Sequence, residues 1–556
     1  MVKNLRVLIF LPVLVYVFAF YYFPLTMIIR DAFIDSGGFT LEYFISLFYD
    51  ESVIFSIAFS FWQAFISVIL SLLMGIPVAY ILTKYDFPGK NILLAIIMVP
   101  FILPGVVVGY AILSLYGVNG YITALIARLL GVRIVLGQGL PGIFISHTFY
   151  NASLVALITS SVWRRLDPEI EEAAEVLGSK GFHKFIRVTL PMIAPGILSA
   201  SLLVFIFCFT SFEIILILGG AVYRTIEVEI YSLYLAFFDF NRAAALSILQ
   251  LIFIAIVTFF YLKTVENVAE IRRVGRTAIY PTKPLITNLK DLLSPRKLFI
   301  IIFLIFFAFF MIAPLLVIFI SAFYDPVTKR FTLRGIFSLF STEYNTFLGA
   351  EPILAPINSI FYSMLTTLIV FLISLASVRV LYGRRTLSIL YGLLIFLPVA
   401  TSRITIGLGM IAAYGPLGAL SIDPRPYIIA AHTLIAYPFA VRSMLNGLSK
   451  MDPDVLDASD TLGATGLKKF LKVELPLLKP SLATAIALSF AISIGEFAAT
   501  NLLYRGRYAT LTVFLFLMIG GRKFIAAGAA AMLLCLISLI AFLVIVKFGE
   551  DISASL

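Results

Sequence analysis

Charged residues are scarce in this chain of 556 residues: 13% are charged and 61% are hydrophobic, with a mean hydropathy of +1.06. A soluble domain of this composition would expose large apolar patches, so the composition excludes a soluble protein and indicates an integral membrane protein. The alternating pattern of a membrane barrel is absent, whereas apolar runs of about 20 residues are typical of spanning helices. We therefore expect an all-α, polytopic membrane protein.

Cysteine and histidine are also rare, with two and three residues respectively. Cys208 and Cys535 lie inside apolar runs, which excludes a disulfide framework and favours buried small hydrophobes. The sequence contains no nucleophile–base pair and no metal-ligand spacing. These absences predict a chain that is not an enzyme and holds no cofactor or metal.

The phosphate-binding motif GxxxxGK[ST] is missing from the whole sequence. The segment nearest to it, 463–469, has the wrong spacing and no following Ser or Thr. If ATP drives this protein, the hydrolysis must take place in a partner subunit.

The net charge of +11 suggests nucleic acid at first, but the placement of the basic residues argues against it. They concentrate in the segments predicted to face the cytoplasm, as the positive-inside rule requires. We therefore expect no nucleic-acid partner. The first apolar segment lacks a small-residue cleavage site, so we interpret it as a retained helix rather than a removed signal peptide.

Twelve spanning helices are predicted, six in each half, with both termini in the cytoplasm. Pro100, Pro104 and Gly105 should interrupt the third helix. The halves are residues 1–262 and 298–556, and residues 263–297 form a basic cytoplasmic linker. The predicted spans are 7–30, 54–83, 91–116, 140–163, 192–218, 242–262, 298–322, 356–379, 386–413, 426–448, 478–503 and 526–547.

One polar stretch occurs twice. Residues 167–191 read DPEIEEAAEVLGSKGFHKFIRVTLP, and residues 452–476 read DPDVLDASDTLGATGLKKFLKVELP. Because six is an even number of spans, the two halves should insert in the same orientation, as parallel repeats. His147 and His432 also occupy matching positions, and we interpret both as hydrogen-bonded packing residues rather than ligands.

The repeated stretch has the composition of a short, capped helix followed by a turn. Asp167 and Pro168 suit its first positions, and the acidic residues that follow favour the positive end of the helix dipole. Ala173 and Ala174 have small side chains, so another surface can approach this face of the helix closely. Gly178 permits a turn. We expect Pro191 and Pro476 to open the next spanning helix. A polar loop repeated in both halves predicts a docking surface for a soluble partner.

These residues resemble the EAA loop of binding-protein-dependent ABC importer permeases of type I. The resemblance implies that two copies of a cytoplasmic ATP-binding subunit grip the two short coupling helices, with Glu172 and Asp457 as acidic contacts. It also implies an extracytoplasmic substrate-binding protein. The second copy departs from the pattern at Asp457 and Ser459. The coupling residues so identified are Glu171, Glu172, Ala173, Ala174, Gly178, Pro191, Asp457, Ala458, Ser459, Gly463 and Pro476.

The segments that follow each loop resemble the fused two-domain permeases of the thiamine and ferric-iron importers. The resemblance rests on residues 208–212, 218–220 and 225–231 in the first half, and on residues 488–490 and 493–497 in the second. It implies a small cationic cargo such as thiamine or ferric iron.

Ionisable residues within spans are candidates for the substrate path. Counting from Pro191 and Pro476 places Glu213 and Glu496 at the outer mouth, where they would attract a cation; the alternative is interfacial acids or ion pairs with Arg224 or Arg505. For Arg403 the alternatives are an ion pair across the two halves and a snorkelling side chain. Ser211 and Ser493 complete the path candidates.

The main rival hypothesis is an ion-coupled secondary transporter, which also favours twelve helices in two parallel halves. Such a protein works without an ATPase and couples to charges at the midplane. The sequence carries few charges there, and its polar loops follow the fourth span of each half. We therefore favour a membrane permease that receives energy from separate subunits.

Overall fold

The structure is a computed structural model. It describes residues 11–548 apart from 275–280, 289–293, 326–327, 329, 343–344, 346–348, 382–396 and 465. Ten helices in the described part are long and apolar enough to cross a membrane, and a bent pair makes an eleventh. The predicted span 386–413 lies partly outside the described residues. The prediction of an all-α polytopic fold is confirmed.

The first half contains eleven helices, five of them long, and α4 and α5 together make a sixth candidate span. In chain order they are α1 (Leu11–Phe33), α2 (Glu51–Lys84), α3 (Lys90–Met98), α4 (Gly105–Tyr116), α5 (Tyr121–Leu130), α6 (Gly139–Trp163), α7 (Pro168–Val176), α8 (Gly181–Phe209), α9 (Glu213–Leu218), α10 (Ile226–Leu235) and α11 (Phe240–Val274).

The second half repeats this order of elements over its described residues. Its helices are α12 (Pro295–Phe323), α13 (Leu354–Leu381), α14 (Arg403–Tyr414), α15 (Arg425–Ser449), α16 (Pro453–Thr461), α17 (Phe470–Leu477), α18 (Lys479–Ile494), α19 (Ala498–Leu503), α20 (Leu511–Gly520) and α21 (Phe524–Phe548).

Short elements connect the helices. Single turns occupy Glu42–Leu47, Val99–Ile102, Arg334–Ser338, Leu397–Ala400, Ala419–Ile422, Gly466–Lys469 and Gly506–Tyr508. Three two-residue strand pairs join Ile34–Asp35 to Gly38–Phe39, Tyr85–Asp86 to Lys283–Pro284, and Tyr324–Asp325 to Arg330–Phe331. The pair formed by Lys283 and Pro284 fixes part of the predicted linker beside the end of α2.

The first helix of each half packs against the other half. α1 contacts α14, and Tyr414 donates a hydrogen bond to the Ala19 carbonyl over 2.7 Å. α12 contacts α4, and there Tyr110 donates to the carbonyl of Phe524 on the neighbouring α21 over 2.9 Å. The largest buried apolar cluster therefore draws residues from both halves.

Three predicted boundaries need correction. The fifth span does not continue to residue 218, because α8 ends at Phe209 and a second helix starts at Glu213. The eleventh breaks in the same way, between Ile494 and Ala498. The sixth extends through residue 274, into the predicted linker. The interruption of the third span is confirmed, because a 3₁₀ turn separates α3 from α4.

Pro191 does not open its helix as predicted. The helix already begins at Gly181, and five residues of π-helix, Phe185–Thr189, precede the proline. A proline inside a helix removes one backbone hydrogen bond and crowds the preceding turn, and a π-turn provides the local adjustment. The second half has the equivalent π-turn at Phe470–Glu474 before Pro476, and its helix then bends by 68°.

Candidate functional site

The repeated polar stretches form two matching helices, α7 and α16, each nine residues long. Asp167 caps the first by accepting from the Glu169 amide over 3.0 Å, and Asp452 caps the second by accepting from the Asp454 amide over 3.0 Å. Each aspartate satisfies a backbone donor that the first turn of a helix leaves free. The Asp-Pro pair therefore starts both helices, as the sequence predicts.

The residues predicted to contact an ATPase lie mostly on the exposed faces of these helices. Glu172 and Ala173 are exposed in α7, as are Asp457 and Ala458 in α16. Ala174 and Ser459 face inwards and are 9% and 7% exposed. Small inward residues let each helix lie close to the protein beneath it.

Apolar side chains border the exposed acids in the same way in both copies. Ile170 and Val455 lie two residues before the exposed acids Glu172 and Asp457, and both are 45% exposed. Leu177 and Leu462 at the far end are both 87% exposed. An exposed apolar and acidic face that recurs at equivalent positions is suited to binding a second protein.

Glu171 differs from the predicted role, because its side chain is buried rather than available for docking. It is 4% exposed, one carboxylate oxygen pairs with Lys84 at the end of α2, and the other accepts from the Thr189 hydroxyl over 2.9 Å. The structure places Glu171 as an anchor that fixes α7 to the ends of two spanning helices. The second copy has Leu456 at this position.

Both helices end at a glycine in the left-handed region, Gly178 with φ +90° and Gly463 with φ +78°. A side chain would be strained there. Beside this turn, Lys184 donates to Glu175 and holds the pKa of that exposed carboxyl below its ordinary value. Lys469 and Asp460 make the same pair in the second copy.

A second group of functional candidates lies where the two halves meet. α8 ends at Phe209, and Thr210 follows it. Thr225, the residue before α10, lies beside this point, because its hydroxyl donates to the Ser211 carbonyl over 3.1 Å. The Ser60 hydroxyl on α2 then accepts from the first amide of α10, at Ile226, over 2.8 Å. In the second half, the Ser359 hydroxyl accepts from the amide of Leu511, the first residue of α20, over 2.7 Å.

Phe212 and Phe497 stack on each other across the interface, with ring centroids 5.9 Å apart and planes at 22°. They are the residues before α9 and α19 and differ by the same offset of 285 as the two loops. Tyr231 packs edge-on to Phe212, and its equivalent Phe516 packs on Phe497. The approximate two-fold axis of the molecule therefore passes between Phe212 and Phe497.

This register also shows how the two acids relate to the repeat. Because Phe212 matches Phe497, Glu496 is equivalent to Ser211, and Glu213 is equivalent to Ala498. The two carboxylates are therefore not a symmetric pair. Each occupies a position where the other half has a small or neutral side chain.

The placement of Glu213 and Glu496 at the outer mouth stays a prediction. The structure shows that both are buried, 8% and 1% exposed, and Glu213 lies beside Tyr150, near the middle of α6. Ser60, at the same level as Ser211 and Ile226, is the tenth of the 34 residues of α2 and lies roughly 14 Å from its end at Glu51. The sequence count assumed a continuous helix, whereas α8 ends at Phe209.

The two buried histidines hold the breaks after α8 and α18. His147 bonds Ser67 over 2.9 Å and Ser211 over 3.0 Å. His432 bonds Ser493 over 2.7 Å and Thr500 over 2.7 Å. Both make the hydrogen-bonded packing that we predicted.

Glu496 is held by the same cluster. It lies 3.3 Å from His432 and accepts from the amides of Ala499 and Thr500 over 2.8 and 2.9 Å. Three of the path candidates thus contribute to the structure of the breaks: Ser211, Ser493 and Glu496.

The predicted alternative of ion pairs with Arg224 or Arg505 is not seen within the described residues. Arg224 pairs with Glu229 instead, and Arg505 donates to backbone carbonyls.

Arg403 pairs across the two halves, which was one of the two alternatives for this residue. Its Nη1 lies 3.3 Å from Glu213 Oε1. The flanking residues Ser402 and Ile404 are 5% and 0% exposed, yet the Arg403 side chain is 52% accessible. Its guanidinium is therefore accessible although its neighbours in the chain are buried.

The sequence analysis did not single out Glu227, although it lies in the resembling segment 225–231. It is 1% exposed and accepts from Gln250 over 3.0 Å through one oxygen. The other oxygen is buried without a hydrogen-bond partner within the described residues. Glu213 and Arg403 are its electrostatic neighbours. The available signal was a pair of acids, Glu227 and Glu229, in the first turn of a mainly apolar helix.

Two equivalent halves, an interface containing buried charges, and one exposed, capped helix per half define a polytopic membrane transport protein. The chain belongs to the family described as binding-protein-dependent transport system inner membrane component, which matches residues 71–266 and 369–552. It is thus a permease subunit of such a transport system, a multi-pass protein of the inner membrane. This membership does not favour the ion-coupled rival.

Among similar proteins, the ThiP relatives are close to this chain in length and the FbpB relative is longer. The thiamine transport system permease protein ThiP of Haemophilus influenzae is 28% identical over 91% of both chains, and ThiP of Escherichia coli is 26% identical over 88% of both. The ferric transport system permease protein FbpB of Actinobacillus pleuropneumoniae is 26% identical over 86% of this chain and 69% of its own length. A solved bacterial ABC transporter involved in import of the acidic polysaccharide alginate covers 48% of this chain and 94% of its own, with 20% identity and a TM-score of 0.40.

Proposed function

We propose that this chain is the transmembrane subunit of an ATP-driven importer that forms the substrate path between its two halves. Two copies of a cytoplasmic ATP-binding subunit bind α7 and α16 and perform the hydrolysis, a division supported by the absence of the GxxxxGK[ST] motif from the sequence. An extracytoplasmic binding protein delivers the cargo. The observation that carries the proposal is the recurrence of one exposed surface, with matching caps, acids and apolar borders, in both halves.

The anchoring of α7 explains how a push on it reaches the path. Glu171 ties the helix to the end of α2 through Lys84 and to the π-turn of α8 through Thr189. α2 contacts α6 and α8 along its length, and α8 leads directly to the break at Thr210. A displacement of α7 is therefore transmitted to the helices that hold the interface.

We also propose that the halves function as units bounded at 1–262 and 298–556, with 263–297 as a cytoplasmic linker and both termini in the cytoplasm. The basic residues of the linker and the pairing of Lys283 beside α2 support this arrangement. It places both coupling helices on the side where ATP is available.

The cargo we propose is a small cation such as thiamine or ferric iron. The names of the ThiP and FbpB relatives support this class. Three buried carboxylates, Glu213, Glu227 and Glu496, surround the interface, and one arginine, Arg403, faces them. An interface with more buried acids than bases is suited to the passage of a cation.

The experiment compares two pairs of neutral substitutions on the same helices. Glu172→Gln with Asp457→Asn removes the exposed acids of the proposed docking face. Glu175→Gln with Asp460→Asn is the control, because these acids are also exposed but pair with lysines of the chain itself.

In proteoliposomes that contain the ATP-binding subunits and the binding protein, uptake of radiolabelled thiamine and of ferric iron is measured separately. We expect the first pair to lower both ATPase retention and ATP-dependent uptake, and the control pair to retain both. Equal uptake by the two double variants would refute the docking role of α7 and α16. Uptake of neither probe by the unmodified complex would refute the proposed cargo alone.

A further inference from the structure

Arg403 occupies an unusual position for a cation. It is the first residue of α14, where the helix dipole disfavours positive charge. Its guanidinium carries five donors, and within the described residues it makes one hydrogen bond, to Glu213. A half-exposed, singly bonded guanidinium inside a membrane protein is costly to maintain, so a functional reason is expected.

The surrounding acids are arranged to hold a cation. Glu213 is the first residue of α9 and Glu227 the second residue of α10, in first turns where the dipole favours negative charge. Both are electrostatic neighbours of Arg403. Glu227 has a buried oxygen that makes no hydrogen bond of ordinary geometry within the described residues, although the Ser402 hydroxyl is its neighbour, and a bound cation would stabilise the buried carboxylate.

The internal repeat shows that the fold itself does not require these charges. α4 and α14 are equivalent helices of 12 residues, so Gly105 is the counterpart of Arg403. By the offset of 285, Ala498 is the counterpart of Glu213 and Thr512 that of Glu227. The second half forms its own version of this region with a small or neutral residue at each acidic position, and the first half does so without the arginine.

We propose that Glu213 and Glu227 form a cation-binding site between the halves and that Arg403 is a tethered cation that occupies it until the cargo displaces it. This inference rests on the proposed cationic cargo and adds the site and its resident competitor. The arginine keeps small external cations from the acids when no cargo is present. The guanidinium, whose side chain is already half accessible, leaves Glu213 when the cargo binds there.

The test uses free guanidinium as the probe and the purified full-length chain in detergent, without any ATP-binding subunit. Arg403→Gly installs the residue found at the equivalent position of the first half and vacates the proposed site. Thermal unfolding is followed while guanidinium chloride is added at millimolar concentrations, with sodium chloride at equal concentration as the ionic control.

We expect a saturable, guanidinium-specific rise in Tm for Arg403→Gly and none for the unmodified chain. Adding Glu227→Gln should weaken the apparent guanidinium affinity by about tenfold or more, which corresponds to roughly 1.4 kcal/mol per tenfold change. Asp423→Asn is the matched control, since Asp423 is a carboxylate paired with Arg425 outside this cluster, and it should leave the affinity unchanged.

Two results would overturn the proposal: no guanidinium-specific shift in Arg403→Gly, or a shift that Glu227→Gln does not alter. A structural ion pair of Arg403 with Glu213 alone predicts the second result, because free guanidinium would still fill the vacated position while Glu227 took no part in binding it. If Arg403→Gly does not yield folded chain, Arg403→Gln, which keeps most of the bulk and loses the charge, enters the same titration. Because no ATPase or transport is involved, this outcome is independent of the uptake experiment above.

Discussion

Replacing Glu171 by Gln should loosen the first coupling helix without affecting the second. Gln keeps the size of the side chain and an acceptor for Thr189, but it removes the charge that pairs with Lys84. A hydrogen bond to a charged group contributes about 1.5–3 kcal/mol when buried, and an exposed ion pair about 0–1 kcal/mol. Lys84 has a side chain 20% exposed and Glu171 one 5% exposed, so an intermediate value of about 1–2 kcal/mol applies.

The assay is amide hydrogen exchange, which reports local opening of a helix. A loss of about 1–2 kcal/mol in the opening free energy speeds exchange by roughly 5- to 30-fold. We expect this change in residues 168–176 of the Glu171→Gln variant. Residues 453–461 are an internal control, because Leu456 stands there in place of Glu171 and no equivalent charge is lost.

Lys84→Met supplies the second arm of a double-mutant cycle. If the two residues stabilise α7 through each other, the double variant should exchange at nearly the rate of the single variants. Unchanged exchange in residues 168–176, or equal acceleration in both coupling helices, would refute the anchoring role of Glu171.

Three further predictions concern the turns, the interface and an external tether. Gly178→Ala should raise the free energy of the turn after α7 by about 1–2 kcal/mol and reduce ATP-dependent uptake, because φ is +90° at Gly178. Gly131→Ala at the end of α5, where φ is +69°, is the control and should leave uptake unchanged. Equal uptake by both variants would contradict the prediction. Phe212→Ala should lower stability by about 3–5 kcal/mol in thermal or denaturant unfolding, since the ring is 2% exposed and stacks on the two-fold axis, and a loss below about 1 kcal/mol would contradict the packing. The hydrogen bond from Arg242 lowers the pKa of Asp50 below its ordinary value of 3.8. The stabilisation by ionised Asp50 is therefore present above pH 3.8 and is lost as the pH falls through the lowered pKa. The Tm difference between the unmodified chain and Asp50→Asn should shrink in acid, and a Tm difference independent of pH would refute this prediction.

The elements that were predicted well from the sequence are those determined by residues close to one another in the chain. Asp167 and Asp452 cap their helices through backbone donors two residues away, so a local pattern was sufficient. The long apolar runs identified the spans, and the offset of 285 identified the repeat. These features depend on neighbours in the chain and not on the packing of distant helices.

The breaks after α8 and α18 could not be predicted in this way, because distant side chains stabilise them. Gln63 donates to the Cys208 carbonyl over 2.7 Å at the end of α8, and Ser60 accepts from the first amide of α10. Both partners lie on α2, more than a hundred residues earlier in the chain. Without those contacts the apolar segment 192–218 has the pattern of one continuous helix.

The same difficulty explains the site residues. Counting from Pro191 and Pro476 assumed continuous helices as far as Glu213 and Glu496, but α8 ends at Phe209 and α18 ends at Ile494. The inward turn of Glu171 likewise depends on Lys84, 87 residues away. A sequence shows which residues are charged, and the tertiary contacts decide which of them face a partner.

The most direct test of the account is reconstitution of the purified chain in proteoliposomes, with and without its ATP-binding subunits and binding protein. The account predicts uptake of the cargo only when both partners and ATP are present, and no uptake by the chain alone under a proton or sodium gradient. Gradient-driven uptake by the chain alone, unaffected by the ATP-binding subunits, would contradict it.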